Sequence, residues 1–489
     1  MATGIGVAQS SGSARQSGQG TNTSAGASSG SNPSAISAGQ TQLYNASGSN
    51  GAMVTPDTFN RSIVEGQNTG LTLPLSLDDA IQRGLRNNLG IILQTSSIQA
   101  ANGQRLEQLQ QLLPTINGSA AVTVEQVNLA AFGLKFPGIN PIIGPFQVVD
   151  FRAYLTQSLV NISALQSYIG SKHAFTAAKL SSEDARDLVV LTVGNAYLLC
   201  VADQARIDAV NAELKTSKLS FDQATASHDA GVSPRLDVLR AQVDYQNEQQ
   251  TLISSVNQSN KDKLSLARVI GLPLAQAFAL TDAAPFKLLE NPDPDAAFAQ
   301  ALRNRKDLAA DQEQVRAAES ARKSAIADQY PTASVSGDFG DLGTTPGHSH
   351  GTYTATGQVT APILQLARTR GEKAVADAAL SSSKARLSDA AQQVNADIRN
   401  AILDIDSAAK LVQATQSNVS LATEELSEAQ QRFHAGISDN LPVSQAQTQF
   451  EQANDQYISA LYQHNVAKLS LARAIGVAQT NYKDYLGGK

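Results

Sequence analysis

The chain has 489 residues, 37 Lys and Arg against 43 Asp and Glu, 5% aromatics, no Trp and one cysteine, Cys200. A net charge of -6 leaves no basic footprint for nucleic acid, and a lone cysteine excludes an intramolecular disulfide. So few large side chains favour thin helix-on-helix seams over a thick core; no run of roughly 18–20 apolar residues marks a transmembrane helix, whereas a β-barrel, with its weak alternating signal, stays open.

Residues 1–70 are rich in Ser, Gly, Asn and Thr and carry too little apolar surface to offset the entropy of ordering, so they are predicted to be disordered. They show neither the basic start nor the apolar run of a secretory leader. Taken alone, that favours the cytoplasm, with a removed leader or a misplaced start as the competing explanation.

Two structural repeats follow, 71–283 and 284–489. Lys263-Leu264-Ser265-Leu266-Ala267-Arg268-Val269-Ile270-Gly271 returns as Lys468-Leu469-Ser470-Leu471-Ala472-Arg473-Ala474-Ile475-Gly476, an offset of 205. Upstream the offset is 217: Ala80, Leu85, Arg86, Asn87 and Pro114 meet Ala297, Leu302, Arg303, Asn304 and Pro331. So long a period is one architecture built twice, not a short-repeat solenoid.

In the first repeat, Leu75–Leu113 is predicted to be one helix, with Ser76 as N-cap and Asp78 and Asp79 in the first turn, where the helix dipole favours anions. Pro114 ends it, and the period changes to two. Ile116, Gly118, Ala120, Val122 and Val124 alternate with Asn117, Ser119, Ala121, Thr123 and Glu125; Val149, Phe151, Ala153 and Leu155 alternate with Asp150, Arg152 and Thr156. The second repeat offers Ala333, Val335, Gly337 and Phe339, then Tyr353, Ala355, Gly357 and Val359. These are four strands near the 9–11 residues that cross a bilayer at a tilt, joined by a long loop, Val127–Gln147, and a short one, Asp341–Gly351.

Long helices are predicted next, Ile162–Ser227 and Leu366–Arg432. The second shows a heptad seam through Ile398, Ile405, Val412, Val419, Leu426 and Phe433, with Val394, Ala401, Ala408, Thr415, Ala422 and Ala429 between. Val193, Cys200, Ile207, Leu214 and Phe221 hold the matching line in the first. A sustained period of 3.5 specifies coiled-coil packing. Gly231 and Gly436 end these helices, and Leu236–Ile270 and Leu441–Ile475 return; Gly271–Pro294 links the repeats. The fold class is mixed α+β, mainly α, with long helical hairpins continuous with four β-strands. Four strands cannot close a barrel; three chains would supply twelve, enclosing a watery lumen.

These residues resemble the TolC-like outer-membrane efflux proteins across about Leu73–Tyr485. The resemblance rests on Leu77-Asp78-Asp79-Ala80, Leu85-Arg86-Asn87-Asn88, Leu113-Pro114, the turns Ala230-Gly231-Val232-Ser233 and Ala435-Gly436-Ile437-Ser438, Leu236-Asp237-Val238-Leu239-Arg240-Ala241-Gln242, and the paired Leu-Ala-Arg-x-Ile-Gly ends. It implies a homotrimer with a 12-stranded outer-membrane β-barrel, set in outer-membrane lipid and continuous with a periplasmic α-barrel. It also implies docking onto a periplasmic adaptor and an inner-membrane pump, for passive export of drugs, metals or polypeptides. The adaptor-docking tip would comprise Ala230, Gly231, Val232, Ser233 and Asp237 with Ala435, Gly436, Ile437, Ser438, Asp439 and Leu441. The acidic ring that constricts some relatives is not matched: Pro442 and Gln445 stand there, with Asp439 the nearest acid.

Other residues have bland readings. Asp237 and Asp439 suit helix capping as well as a narrow tip; His348 and His350 suit a solvated loop better than a metal; Cys200 sits on the packing seam. His228 and His434 flank the tip glycines, where surface histidines are common. No Walker A, HExxH, GxGxxG or nucleophile-elbow pattern occurs, so the sequence carries no enzyme or cofactor signature and transport energy must come from a partner. The alternative from another class is a soluble coiled-coil scaffold, which has no reason to duplicate membrane-length strands.

Overall fold

The computed structural model describes residues 56–134, 137, 138, 140–282, 286–289 and 292–486. In chain order the elements are β1 (Leu73–Leu75), α1 (Leu77–Asn87), α2 (Leu89–Gln110), β2 (Thr115–Asn128), β3 (Ile142–Val160), α3 (Ile162–Asp229) and α4 (Arg235–Ile270). There follow β4 (Phe278–Leu280), α5 (Pro294–Asn304), α6 (Lys306–Ala327), β5 (Thr332–Gly343), β6 (Ser349–Thr360), α7 (Leu366–His434), α8 (Leu441–Ile475) and α9 (Ala478–Leu486).

Of the segment predicted to be disordered, residues 1–55 lie outside the described residues, and residues 56–70 correct the prediction. Phe59 is buried, Ile63 N–H donates to Asn87 O and Glu65 N–H to Gly271 O, both at 2.9 Å. This stretch is ordered by docking onto helix ends in the first repeat, which its own composition does not show.

The single opening helix is in fact two. Asn88 stands between α1 and α2 in extended conformation, accepts from Gly90 N–H at 2.9 Å and donates to Phe59 O at 2.7 Å. Arg305, 217 positions later, breaks α5 from α6 in the same way. Ser76 caps α1 as predicted, accepting from Asp79 N–H at 3.1 Å. Pro114 and Pro331 each stand immediately before a strand, where missing N–H groups and fixed φ stop a helix.

The strands form one antiparallel sheet in the order β2-β3-β5-β6. The register puts Gly118, Ala153, Phe339 and Tyr353 in one row and Ile116, Leu155, Gly337 and Ala355 in another, all on one face. The opposite face carries Ser119, Arg152, Gly340 and Thr352, then Asn117, Tyr154, Asp338 and Thr354. There Arg152 donates to Asp150 at 3.2 Å and to Asp338 at 2.5 Å. On the apolar face Ile116, Phe339 and Tyr353 are 73%, 70% and 78% exposed. β3 runs back to Ile142, so the expected long loop Val127–Gln147 shrinks to residues 129–141, and the short one to 344–348.

The helices α3 and α7 have 68 and 69 residues, about 100 Å each at 1.5 Å per residue. Along α7 the predicted seam is buried except at Val419 and Phe433, which are half-buried. Along α3 it is not: Ile207, Leu214 and Phe221 are only half-buried, while Asp203, Val210, Glu213, Ser217, Ser220 and Ala224 are buried. α8 packs against α3 as well as against α7, through bonds such as Asn454 Nδ2–H to Glu213 Oε1 (3.2 Å). That added neighbour turns the buried stripe toward polar positions.

α3 also corrects the transmembrane reading. It holds an 18-residue window of mean hydropathy 1.5, long and apolar enough to cross a membrane, and 44% of that window is buried in the fold. Val189, Val190, Val193, Tyr197, Leu198 and Val201 supply the apolar content by packing against Leu75, Leu266, Ile270 and Leu469.

The described first part of the linker between repeats is structured too: β4 pairs in parallel with β1, and Tyr197 Oη lies 3.0 Å from Leu75 O and 2.8 Å from Asp282. Gly271 and Gly476 close the two return helices at φ +74° and +79°. A Cβ at Gly271 would stand 2.5 Å from Ile63 O, so both conformation and space demand glycine there.

Candidate functional site: the two helix–helix turns

The turn after α3 is a left-handed cap. Gly231 has φ +75°, Val232 N–H donates to Ser227 O at 2.9 Å, and His228 Nδ1–H donates to Ser233 O at 3.0 Å. The turn after α7 repeats it, with Gly436 at φ +68° and Ile437 N–H donating to Arg432 O at 3.0 Å. Both glycines serve the αL conformation that terminates a helix without strain. His434 packs against Phe433 instead of bonding the turn.

Four apolar side chains stand out into solvent at matched positions. Val232 and Ile437 are 76% and 71% exposed; Leu236 and Leu441 are 54% and 42%. Beside them the hydroxyls of Ser233 and Ser438 are buried without a hydrogen-bond partner. Ala230 and Ala435 occupy the C-cap positions of α3 and α7.

Neither aspartate caps a helix, contrary to the capping alternative. Pro234 and Asn440 hold the N-cap positions and make no side-chain cap bond. Asp237 lies within the first turn of α4 and is buried, whereas the Asp439 side chain is 57% exposed. Both face one guanidinium: Arg240 Nη1 stands 4.0 Å from Asp237 Oδ1 and 3.9 Å from Asp439 Oδ2. Sequence reasoning quoted Arg240 and gave it no part, although its place one turn after Asp237 was a legible (i, i+3) pairing signal.

A second constellation escaped the sequence altogether. Glu213 on α3, Glu248 on α4 and Glu451 on α8 bring carboxylate oxygens within 4.8 Å of one another. Burial pushes Glu213 up to about 7 and Glu451 up to about 8, and raises Glu248. Apolar periodicity cannot reveal such a group, because acids on a heptad seam read as solvated. His348 and His350 form no comparable cluster among the described residues; His348 Nδ1 lies 3.1 Å from Thr345 Oγ1. Cys200 is fully buried, its thiol pushed up to about 12 chiefly by burial.

Against known proteins, the family described as "Outer membrane efflux protein" matches residues 80–272 and 297–477, one span in each repeat. The probable efflux pump outer membrane protein TtgC of Pseudomonas putida is 23% identical over 426 residues, 82% of this chain and 83% of that protein. A membrane protein from Pseudomonas aeruginosa superposes with TM-score 0.74 at 20% identity, covering 82% of this chain and 93% of its own. The outer membrane protein VceC of Vibrio cholerae gives 0.71 at 17% identity, covering 82% and 96%.

Proposed function

Since this chain belongs to the outer membrane efflux protein family, we propose that it is the exit duct of a tripartite efflux system, three copies forming one passive conduit. Family membership sets aside the soluble scaffold and, with it, the cytoplasmic expectation; the protein acts at the outer membrane.

One observation supports closure with further copies of the chain. The four-stranded sheet has two edge strands, β2 and β6, and an exposed apolar face opposite a charged, hydrogen-bonded one. An open edge in lipid leaves backbone N–H and C=O groups unsatisfied, so only closure with further copies is tolerable. Three copies make twelve strands, with Arg152, Asp150 and Asp338 facing water and Phe339 and Tyr353 facing lipid.

The two turns form the periplasmic tip and dock the adaptor. Val232, Leu236, Ile437 and Leu441 offer it apolar knobs, repeated in each chain, and exposed apolar groups clustered at one place mark a partner surface. Ala230, Gly231, Ser233, Ala435, Gly436 and Ser438 shape the turns, and Asp237 and Asp439 pair with Arg240. That pairing supports a tip closed by contacts between turns, in place of a ring of unpaired acids. The energy comes from an inner-membrane pump. Efflux, named for TtgC, is favoured over polypeptide secretion.

The test is the mass and conductance of detergent-extracted protein. A mass of three chains, heat-modifiable migration and ion conductance across planar lipid membranes are expected. A monomer that does not conduct would overturn the reading.

A further inference from the structure

We propose that Glu213, Glu248 and Glu451 form a site for a hard divalent cation of calcium size, which staples α3, α4 and α8 together away from the tip. The three carboxylates come from three different helices, and their oxygens lie within 4.8 Å of one another. Oxygens this close can share one cation, and calcium, which takes roughly 6–8 oxygen ligands at about 2.3–2.6 Å in a flexible shell, suits three carboxylates from separate helices better than magnesium, which demands near-octahedral geometry and gives up water reluctantly. With no histidine or cysteine in the group, softer metals are disfavoured.

A separate observation points to an occupant. Glu248 is 5% exposed, and its Oε2 is buried with no hydrogen-bond partner. A shielded carboxylate oxygen without a donor is costly unless something positive reaches it. From within the cluster Glu451 bonds to Glu248; from outside, the one bond among the described residues is Asn454 Nδ2–H to Glu213 at 3.2 Å. The charged groups acting most strongly on the three are themselves acids, Asp244 from α4 and Asp455 from α8. Asp455 itself pairs with Arg206 of α3 at 2.8 Å. Asp244 adds a second buried, partnerless oxygen, Oδ2.

The surroundings suit a small, desolvated ion. A cavity of about 10 Å³, lined by Glu213 and Glu451 but not by Glu248, and by Ser217, Gln447, Leu426 and Phe450 among others, lies beside two of the three carboxylates, room for about one water-sized occupant. Burial pushes the glutamates up toward neutrality, so protons are the occupants with which calcium would compete.

The site does not rest on the exit-duct reading, since binding is measured without transport. Protein purified in detergent and stripped with EDTA is titrated with calcium chloride by calorimetry at pH 7.5, and its thermal unfolding is followed with and without the metal. One calcium per chain is expected, with a raised unfolding temperature and a weaker response to magnesium chloride. Glu248→Gln and Glu451→Gln should each weaken binding by about tenfold or more, because affinity follows the carboxylate count. Both remove like charge from a crowded site, so they should fold, which circular dichroism checks. No calcium binding at millimolar metal, or stabilisation by acid alone with no effect of calcium, would overturn the proposal. So would binding left intact in both variants, which would place the ion elsewhere.

Discussion

Arg240, in the first repeat, reaches Asp439, in the second, at 3.9 Å, and holds Asp237 on its own helix at 4.0 Å. The two turns are therefore joined by one guanidinium, in a pairing partly open to water. Exposed pairs contribute about 0–1 kcal/mol, so Arg240→Ala should barely change the thermal stability of the assembled protein. Its effect should fall on the tip: with the turns untied, single-channel conductance in planar membranes should rise, and Asp439→Asn should do the same. Unchanged conductance in both variants would remove Arg240 from the closing contacts.

The duplication makes its own prediction. Leu266 and Leu471 are equivalent, and both are fully buried, the first against α1 and α3, the second against α5 and α7. Truncating a buried leucine to alanine costs about 2–5 kcal/mol through lost transfer energy and the cavity left behind. Leu266→Ala and Leu471→Ala should lower the urea midpoint by similar amounts. Val419→Ala, at the half-buried position of the α7 seam, should cost less than either. A benign Leu471→Ala would mean that the second seam is not the core inferred for it.

How far the fold can be read from sequence differs between the repeats. In α7 a heptad of Ile, Val and Leu alternating with Ala faces mostly one partner helix, so the apolar pattern and the buried stripe coincide. In the half of α3 nearest the turn the stripe runs through Asp203, Glu213, Ser217 and Ser220 instead. Helix α8 packs there as well, and hydrogen bonds such as Asn454 to Glu213 make polar burial tolerable. The break at Asn88 was equally hidden, because its bond to Phe59 O is made to a segment that looked unstructured. Of the turn residues, those set by local geometry, Gly231 and Gly436, were legible. Arg240's bridge to Asp439 was not, since it joins residues 199 positions apart in the chain.

Buried Asp203 yields a pH dependence. Burial first, then its hydrogen bond and repulsion with Asp262, push its carboxyl up to about 6 from 3.8. A raised carboxyl pKa means that the folded state binds the proton more tightly. Its contribution is fully present below about pH 3.8 and is lost as pH rises through about 6. Two pH units correspond to about 3 kcal/mol, and relaxation of the site leaves about 1–3 kcal/mol. Asp203→Asn should therefore raise stability at pH 8 by about that amount and leave it unchanged near pH 3.5, measured as urea midpoints. A variant equally stabilised at both pH values, or destabilised at pH 8, would show that Asp203 is not held in this state.

The two faces of the sheet should respond oppositely to charge. Phe339 lies in the apolar row with Ala153 and Tyr353, and Thr354 lies in the polar row with Tyr154 and Asp338. Arginine on a lipid-facing strand position costs about 2–4 kcal/mol near the bilayer midplane and little near its edges, whereas lumen positions accept charge. Phe339→Arg should reduce the heat-modifiable, membrane-inserted form recovered from outer-membrane fractions. Thr354→Arg, placed beside Asp338, should insert normally and instead lower cation conductance through the barrel. If Thr354→Arg blocked insertion while Phe339→Arg passed, the sheet would have to be turned inside out, with Arg152 and its carboxylates toward lipid. The energetics of an ion-paired arginine in hydrocarbon make that orientation far more costly than the one argued from the register.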